Sequence, residues 1–135
     1  MDNSIAQKWR SYAPYFLSLL RIAAALMFIQ AGTVKLFSFP IPMPNGFTAD
    51  FPSQIWFAGV LEVYGGAAIL LGLCTRPVAF ILSGEMAVAY FQAHAPQSPW
   101  TVVNHGGEAV LYCFIFLYLS AAGAGPWSID AMRKK

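Results

Sequence analysis

Four segments of this chain, approximately Tyr15 to Phe37, Ile55 to Leu73, Pro77 to Ala93 and Gly107 to Ala122, are almost wholly apolar. Each is close to the roughly 20 residues that carry an α-helix across a bilayer core. Helices satisfy every backbone group internally, and the aliphatic runs lack the period-2 alternation of a membrane barrel strand. Composition points the same way, with 58% hydrophobic and only 10% charged residues where soluble domains carry about a quarter charged. A water-soluble domain of 135 residues has too little interior to hide so much apolar surface. The chain therefore reads as all-α, an integral-membrane four-helix bundle forming one domain over residues 1–135. A net charge of +2, with basic residues scattered or terminal, excludes the basic stripe of a nucleic-acid-binding protein.

Lys8 and Arg10 before the first apolar run resemble the start of a secretory signal. That run is too long for a signal core, contains Arg21 and lacks an A-x-A cleavage site, so it is expected to be retained. Lys8, Arg10, Arg76, Arg133, Lys134 and Lys135 flank the spans on one side, and the other side has only Lys35. The positive-inside rule then places both termini and the turn between helices 2 and 3 in the cytoplasm. The two outer loops carry turn chemistry. In "SFPIPMPNGFTADFP", Pro40, Pro42 and Pro44 alternate ahead of Asn45-Gly46 and forbid a continuous helix. Its apolar Phe39, Ile41, Met43, Phe47 and Phe51 are expected to lie over the outer mouth as a lid. The other outer loop holds Pro96, Pro99 and Trp100, and Trp9, Trp56 and Trp127 fall near the other predicted interfaces.

The charges inside the apolar segments pose the chemical question. Thirteen uncharged positions separate Glu62 from Arg76, and Arg21, Glu85 and Glu108 also lie within spans or at their edges, with Lys35 near the end of the first. A charge at the bilayer centre costs about 2.5–3.5 kcal/mol, so such groups face the bundle interior and find partners. At a rise of about 1.5 Å per residue, Arg21 and Glu85 stand at matching heights, about 10–12 Å above the cytoplasmic face, and form the expected structural ion pair. Lys35, Glu62 and Glu108 form an outer cluster, with His94 and His105 at its rim. Two readings are open. The charges are ion pairs that fix helix register, or they line an outward-facing polar pocket for a small molecule or protons. Three carboxylates against two cations leave one glutamate for a proton or a proton-donating ligand.

Other signals are weaker. His105 and Glu108, three apart, suggest a metal only if a helical face joins them, and Gly106-Gly107 interrupts it, so no metal is expected. A haem between His94 and His105 is disfavoured by their loop positions. Cys74 and Cys113 lie at different depths and are not expected to form a disulfide. Gly65, Gly66, Ala67, Ala68 and Gly72 read as a small face for close packing, since no basic residue follows at phosphate-loop spacing.

The stretches "LRIAAALMFIQAGTVKLF", "GVLEVYGGAAILLGLCTRPVA" and "NHGGEAVLYCFIFLYLSAAGAGPWSID" together resemble the DoxX family of small four-helix bacterial membrane proteins. The resemblance runs from Leu20 to Asp130. It implies a multi-pass protein of the bacterial inner membrane. The family takes its name from a subunit associated with a thiosulfate:quinone oxidoreductase, which implies a redox-related accessory role on the family-like positions Arg21, Lys35, Glu62 and Glu108.

The expected function is thus a pocket that binds a quinone or a small sulfur compound, as part of a membrane oxidoreductase. Lys35 and His105 bind the ligand, Glu62 and Glu108 exchange protons as the catalytic groups, and Arg21–Glu85 holds the helices in register. Partners implied are the lipid bilayer, a redox enzyme or a second copy of the chain, and no nucleic acid. A non-catalytic membrane scaffold that assembles partner enzymes is the alternative. A channel or transporter needs an oligomer to enclose a path.

Overall fold

A computed structural model describes residues 2–134; Lys135, counted above among the terminal cations, lies outside them. Every regular element among the described residues is helical. A short α1 (Asn3–Ser11) leads into α2 (Ala13–Phe37). After a loop, α3 (Gln54–Val60), a π-helical turn (Leu61–Gly65) and α4 (Gly66–Leu71) run on as one rod. The helix α5 (Thr75–Ala89) ends in a second π turn (Tyr90–His94), followed by a single turn α6 (Thr101–Asn104), then α7 (Gly107–Ala122) and α8 (Ile129–Arg133).

Local chemistry sets these limits. Pro14 opens α2 at a position where its missing N–H costs nothing. The helix closes at Ser38, which takes the left-handed conformation. There the Phe39 amide bonds Thr33 O at 3.3 Å and the Ser38 amide bonds Val34 O at 3.2 Å, so the last carbonyls of the helix are satisfied, and Pro40 prevents its continuation. Gly72 ends α4 with φ +67°, where a Cβ would also run into Ser128, so the position requires glycine.

Two helix pairs make most of the contacts: α2 lies against the α3–α4 rod, and α5 lies against α7. They meet around Phe28, Ile69, Leu82, Phe116 and Leu119, all fully buried. Phe28 sets its ring edge-on to Phe116 at 4.8 Å, a favourable aromatic geometry. Two helices, Ala13–Phe37 and Gln54–Leu71, are long and apolar enough to cross a membrane. Only 33% and 22% of their apolar windows are buried inside the chain, so most of that surface needs an apolar surrounding.

The start of α2, the α4–α5 turn, the end of α7 and the C-terminal tail converge at one end, called here the terminal end. Asp130 clamps it. Its amide donates to Gly72 O at 2.8 Å, and its two carboxylate oxygens accept from the Cys74 and Thr75 amides at 2.9 Å each. It thus satisfies two of the three free N–H groups at the start of α5, where Pro77 has none. Partial burial pushes its carboxyl up, but the Thr75 and Cys74 amides and nearby Arg133 hold it below the usual carboxylate range. Asp130→Asn is expected to lose one of the two cap bonds and about 1 kcal/mol, read as a lower melting temperature in detergent. Because the folded pKa is lowered, the carboxylate's contribution is complete above the unfolded value near 4 and is lost as pH falls through the folded one. The gap between wild type and Asp130→Asn should therefore be constant from neutral pH to about pH 4 and close below it.

Candidate functional site

A cavity of about 760 Å³ opens at the other end, between α2, the first π turn, α5 and the start of α7. Its polar lining gathers Lys35, Glu62, Glu85, His94, His105 and Glu108. Its walls are apolar, with Phe28, Phe57, Leu61, Ile81 and Met86 among them. The volume and the mix of apolar wall with a few converging polar groups suit a small-molecule site.

The centre of the cavity is an ion pair. Lys35 Nζ meets Glu62 Oε2 at 2.8 Å and Oε1 at 3.1 Å, and Glu62 is only 3% exposed. The pair exists because α2 and the α3–α4 rod approach closely there. A Cβ on Gly32 would stand 2.9 Å from both Glu62 Cβ and Gly59 O, and one on Gly59 would stand 2.8 Å from Leu36. The glycines act as the small contact residues of a tight helix crossing. Glu62 also sits in the first π turn. Such turns are rare and frequently fall at functional positions.

Glu85 differs from its neighbours. Both of its carboxylate oxygens are buried and have no hydrogen-bond partner. The expected Arg21–Glu85 ion pair is not formed and is corrected here. Arg21, 1% exposed, turns to the terminal end, where its guanidinium donates to the carbonyl oxygens of Ala124, of Trp127 at 2.7 Å and of Leu70 at 3.4 Å. The height count set the two residues level, but the Arg21 side chain reaches to the terminal end and Glu85 lines the cavity at the other. Glu85 joins the carboxylates of the cavity instead, a placement that the height count missed.

The rim is built by the loop before α7. His94, in the second π turn, places Nδ1 2.8 Å from Asn104 O. A carbonyl only accepts, so Nδ1 carries the hydrogen and Nε2 is left as an acceptor. Asn104, 1% exposed, holds the loop through Ser98 O and the Gly106 amide, both at 2.8 Å. A Cβ on Gly106 would meet Tyr90 and His94 at 2.8 Å, so glycine lets the loop seat against the π turn. His105 and Glu108 lie on the exposed mouth. Gln54 Nε2 donates to Gln92 Oε1 at 2.6 Å across the same mouth; neither glutamine stood out in the sequence, because nothing marks an exposed amide as a bridge.

The lid expectation is also corrected. Phe39, Ile41, Phe47 and Phe51 are 64–71% exposed, and the cavity lining includes no residue of the loop 38–53. That loop is tied beside the mouth by the Ala49 amide on Lys35 O at 2.8 Å and by Phe51 against Trp56. Cys74 and Cys113 are free thiols. No cluster of three or more metal-ligating side chains occurs among the described residues.

Comparison with known proteins gives a consistent result. The DoxX family model matches residues 16–95. An uncharacterised protein of Haemophilus influenzae is 45% identical over 122 residues, covering 88% of this chain and 91% of the relative. An uncharacterised membrane protein of Mycobacterium tuberculosis is 25% identical over 154 aligned positions, covering 100% of this chain and 94% of the relative. No solved structure matches. With the family model over more than half its length and two apolar helices of membrane-crossing size, the chain belongs to the DoxX family of membrane proteins.

Proposed function

We propose that the chain crosses a bacterial inner membrane four times, with both termini in the cytoplasm, and binds a quinone-type molecule as an accessory of a membrane oxidoreductase. The rod from Gln54 to Leu71, α5 with its π turn, and α7 serve with α2 as the crossings. At 16 residues, α7 is the shortest and is accommodated by local thinning of the bilayer. The cavity then opens to the periplasmic side.

The observation that carries the reading is the unpartnered Glu85 carboxyl beside the Lys35–Glu62 pair. A carboxyl buried in an apolar wall is stabilised either by taking up a proton, which makes it neutral, or by a hydrogen-bond donor on water or a ligand. The charge of the site selects among ligands. Its lysine is already neutralised by Glu62, and Glu85 and Glu108 add negative charge. A sulfur oxyanion is repelled by that arrangement, whereas a neutral ring with carbonyl or hydroxyl groups fits the apolar walls and the polar floor. Lys35, held by Glu62, and His105 donate to or orient the ligand, Glu85 holds a proton beside it, and Glu108 exchanges protons with water at the mouth. Electrons come from the partner enzyme.

Binding of a short-chain ubiquinone or menaquinone analogue to the detergent-purified chain tests this. Saturable binding is expected, with Glu85→Leu weakening it by about tenfold or more, the loss of one charged or strong hydrogen bond, and Glu85→Gln retaining most of it. Absence of saturable binding, or equal binding by Glu85→Leu, removes the quinone reading. If function in membranes also survives Glu85→Leu and a stoichiometric partner co-purifies, the chain is a scaffold.

A further inference from the structure

A second groove, of about 740 Å³, lies at the terminal end and is independent of the cavity above. Its apolar side is formed by Leu17 of α2 with Tyr118 and Ala122 of α7, and its polar side by Arg76, Arg133 and Lys134. Two observations place it at a membrane surface. The long helices begin and end at its level, α2 at Ala13, α5 at Thr75 and α7 at Ala122. Tyr15 and Trp127 pack there with ring centres 5.6 Å apart, in the manner of interfacial aromatics.

The charge in this groove is unbalanced. Its carboxylate, Asp130, has both oxygens engaged by the Cys74 and Thr75 amides. The single ion pair among the described residues, Lys35–Glu62, is at the opposite end. Among the described residues, Arg76, Arg133 and Lys134 face the groove with no carboxylate at salt-bridge distance, and the nearby Asp130 offsets only one of their three charges. Arg76 is also held in place. One guanidinium nitrogen donates to Ala121 O, and the other lies so close over Gly123 that a Cβ there would stand 3.2 Å from it. The remaining donors of a fixed guanidinium fork match a phosphodiester. An apolar side below a basic rim is the complement of a lipid with charged head and acyl chain, and basic groups near the surface favour anionic lipids.

We propose that this groove binds the phosphodiester head of an anionic phospholipid. Arg76, Arg133 and Lys134 hold the phosphate, and Leu17, Tyr118 and Ala122 line the path of the upper acyl chain. The source is the bilayer, since a free phosphoester has no use for the apolar side.

The test is native mass spectrometry of the full chain in detergent, with phosphatidylglycerol or phosphatidylcholine added. Wild type should retain phosphatidylglycerol about tenfold or more over phosphatidylcholine. The triple variant Arg76→Gln/Arg133→Gln/Lys134→Gln should lose that preference. The pair Arg133→Gln/Lys134→Gln, which changes two exposed side chains only, should reduce it. Lys8→Gln/Arg10→Gln, which removes two charges from α1 outside the groove, should leave it unchanged. Equal retention of the two lipids by wild type, or an equal loss from Lys8→Gln/Arg10→Gln, overturns the site in favour of diffuse charge attraction. Displacement of the lipid by equimolar glycerol phosphate overturns it in favour of a soluble ligand.

Discussion

Arg21→Met should be the most damaging single substitution in the chain. The guanidinium is 1% exposed and bonds three backbone carbonyls, on Leu70, Ala124 and Trp127. Leu70 is in the last turn of α4, and the other two are in the irregular tail, where no helix bond replaces a lost partner. Removing the donor strands these acceptors, at a cost on the order of 4 kcal/mol for the set. Typical total stabilities are about 5–15 kcal/mol. Thermal unfolding in detergent should show a large drop in midpoint or no cooperative transition. Arg21→Lys should be intermediate, because an ammonium carries the charge but lacks the planar fork that reaches separate carbonyls. A methionine variant that melts with wild type would show that the tail does not depend on this contact.

The second large effect is expected at the Lys35–Glu62 pair, and it should be asymmetric. The Glu62 side chain is 4% exposed and that of Lys35 is 28%. Lys35→Met leaves a buried carboxylate without its cation and should cost about 3 kcal/mol or more. Glu62→Gln leaves a lysine that water already reaches, and should cost about 1 kcal/mol. Combining Lys35→Met with Glu62→Leu removes both charges and should recover most of the stability. Quinone binding should be lost in that double variant, which separates the pair's part in folding from its part in the pocket. A reversed order, with Glu62→Gln the more damaging, would place the desolvated charge on the wrong residue.

Much of the helical pattern was legible because apolar length is a strong signal. The sequence segments 15–37 and 107–122 coincide closely with α2 and α7, and 55–73 with the α3–α4 rod. That Lys35, Glu62 and Glu108 line one cavity is in keeping with their rise along the helices. Rise places a Cα along its helix but not the head of a long side chain, and the expectation for Arg21 and Glu85 failed because the Arg21 guanidinium reaches the tail carbonyls at the terminal end while Glu85 lines the cavity at the other. The lid expectation failed for a different reason. Apolar loop side chains were assigned to the mouth because water is a poor surrounding for them, yet beside a bilayer they have another one. The amphipathic α1, with Trp9 and Tyr12 near Lys8 and Arg10, was hidden by being too short and too polar to register as a span.

The two π turns have an evolutionary consequence. Each takes up one residue more than regular winding requires, and one residue is about 100° of rotation. The rod from Gln54 to Leu71 is therefore two lengths out of phase, one presenting Glu62 to Lys35 and the other seating Ile69 in the core. Deleting a single residue between Leu61 and Gly65 would restore even winding, yet only one of the two lengths could keep its bearing. Among homologous chains, a one-position gap at this point would thus mark a change of chemistry on an unchanged scaffold, visible in a sequence comparison before any coordinates exist.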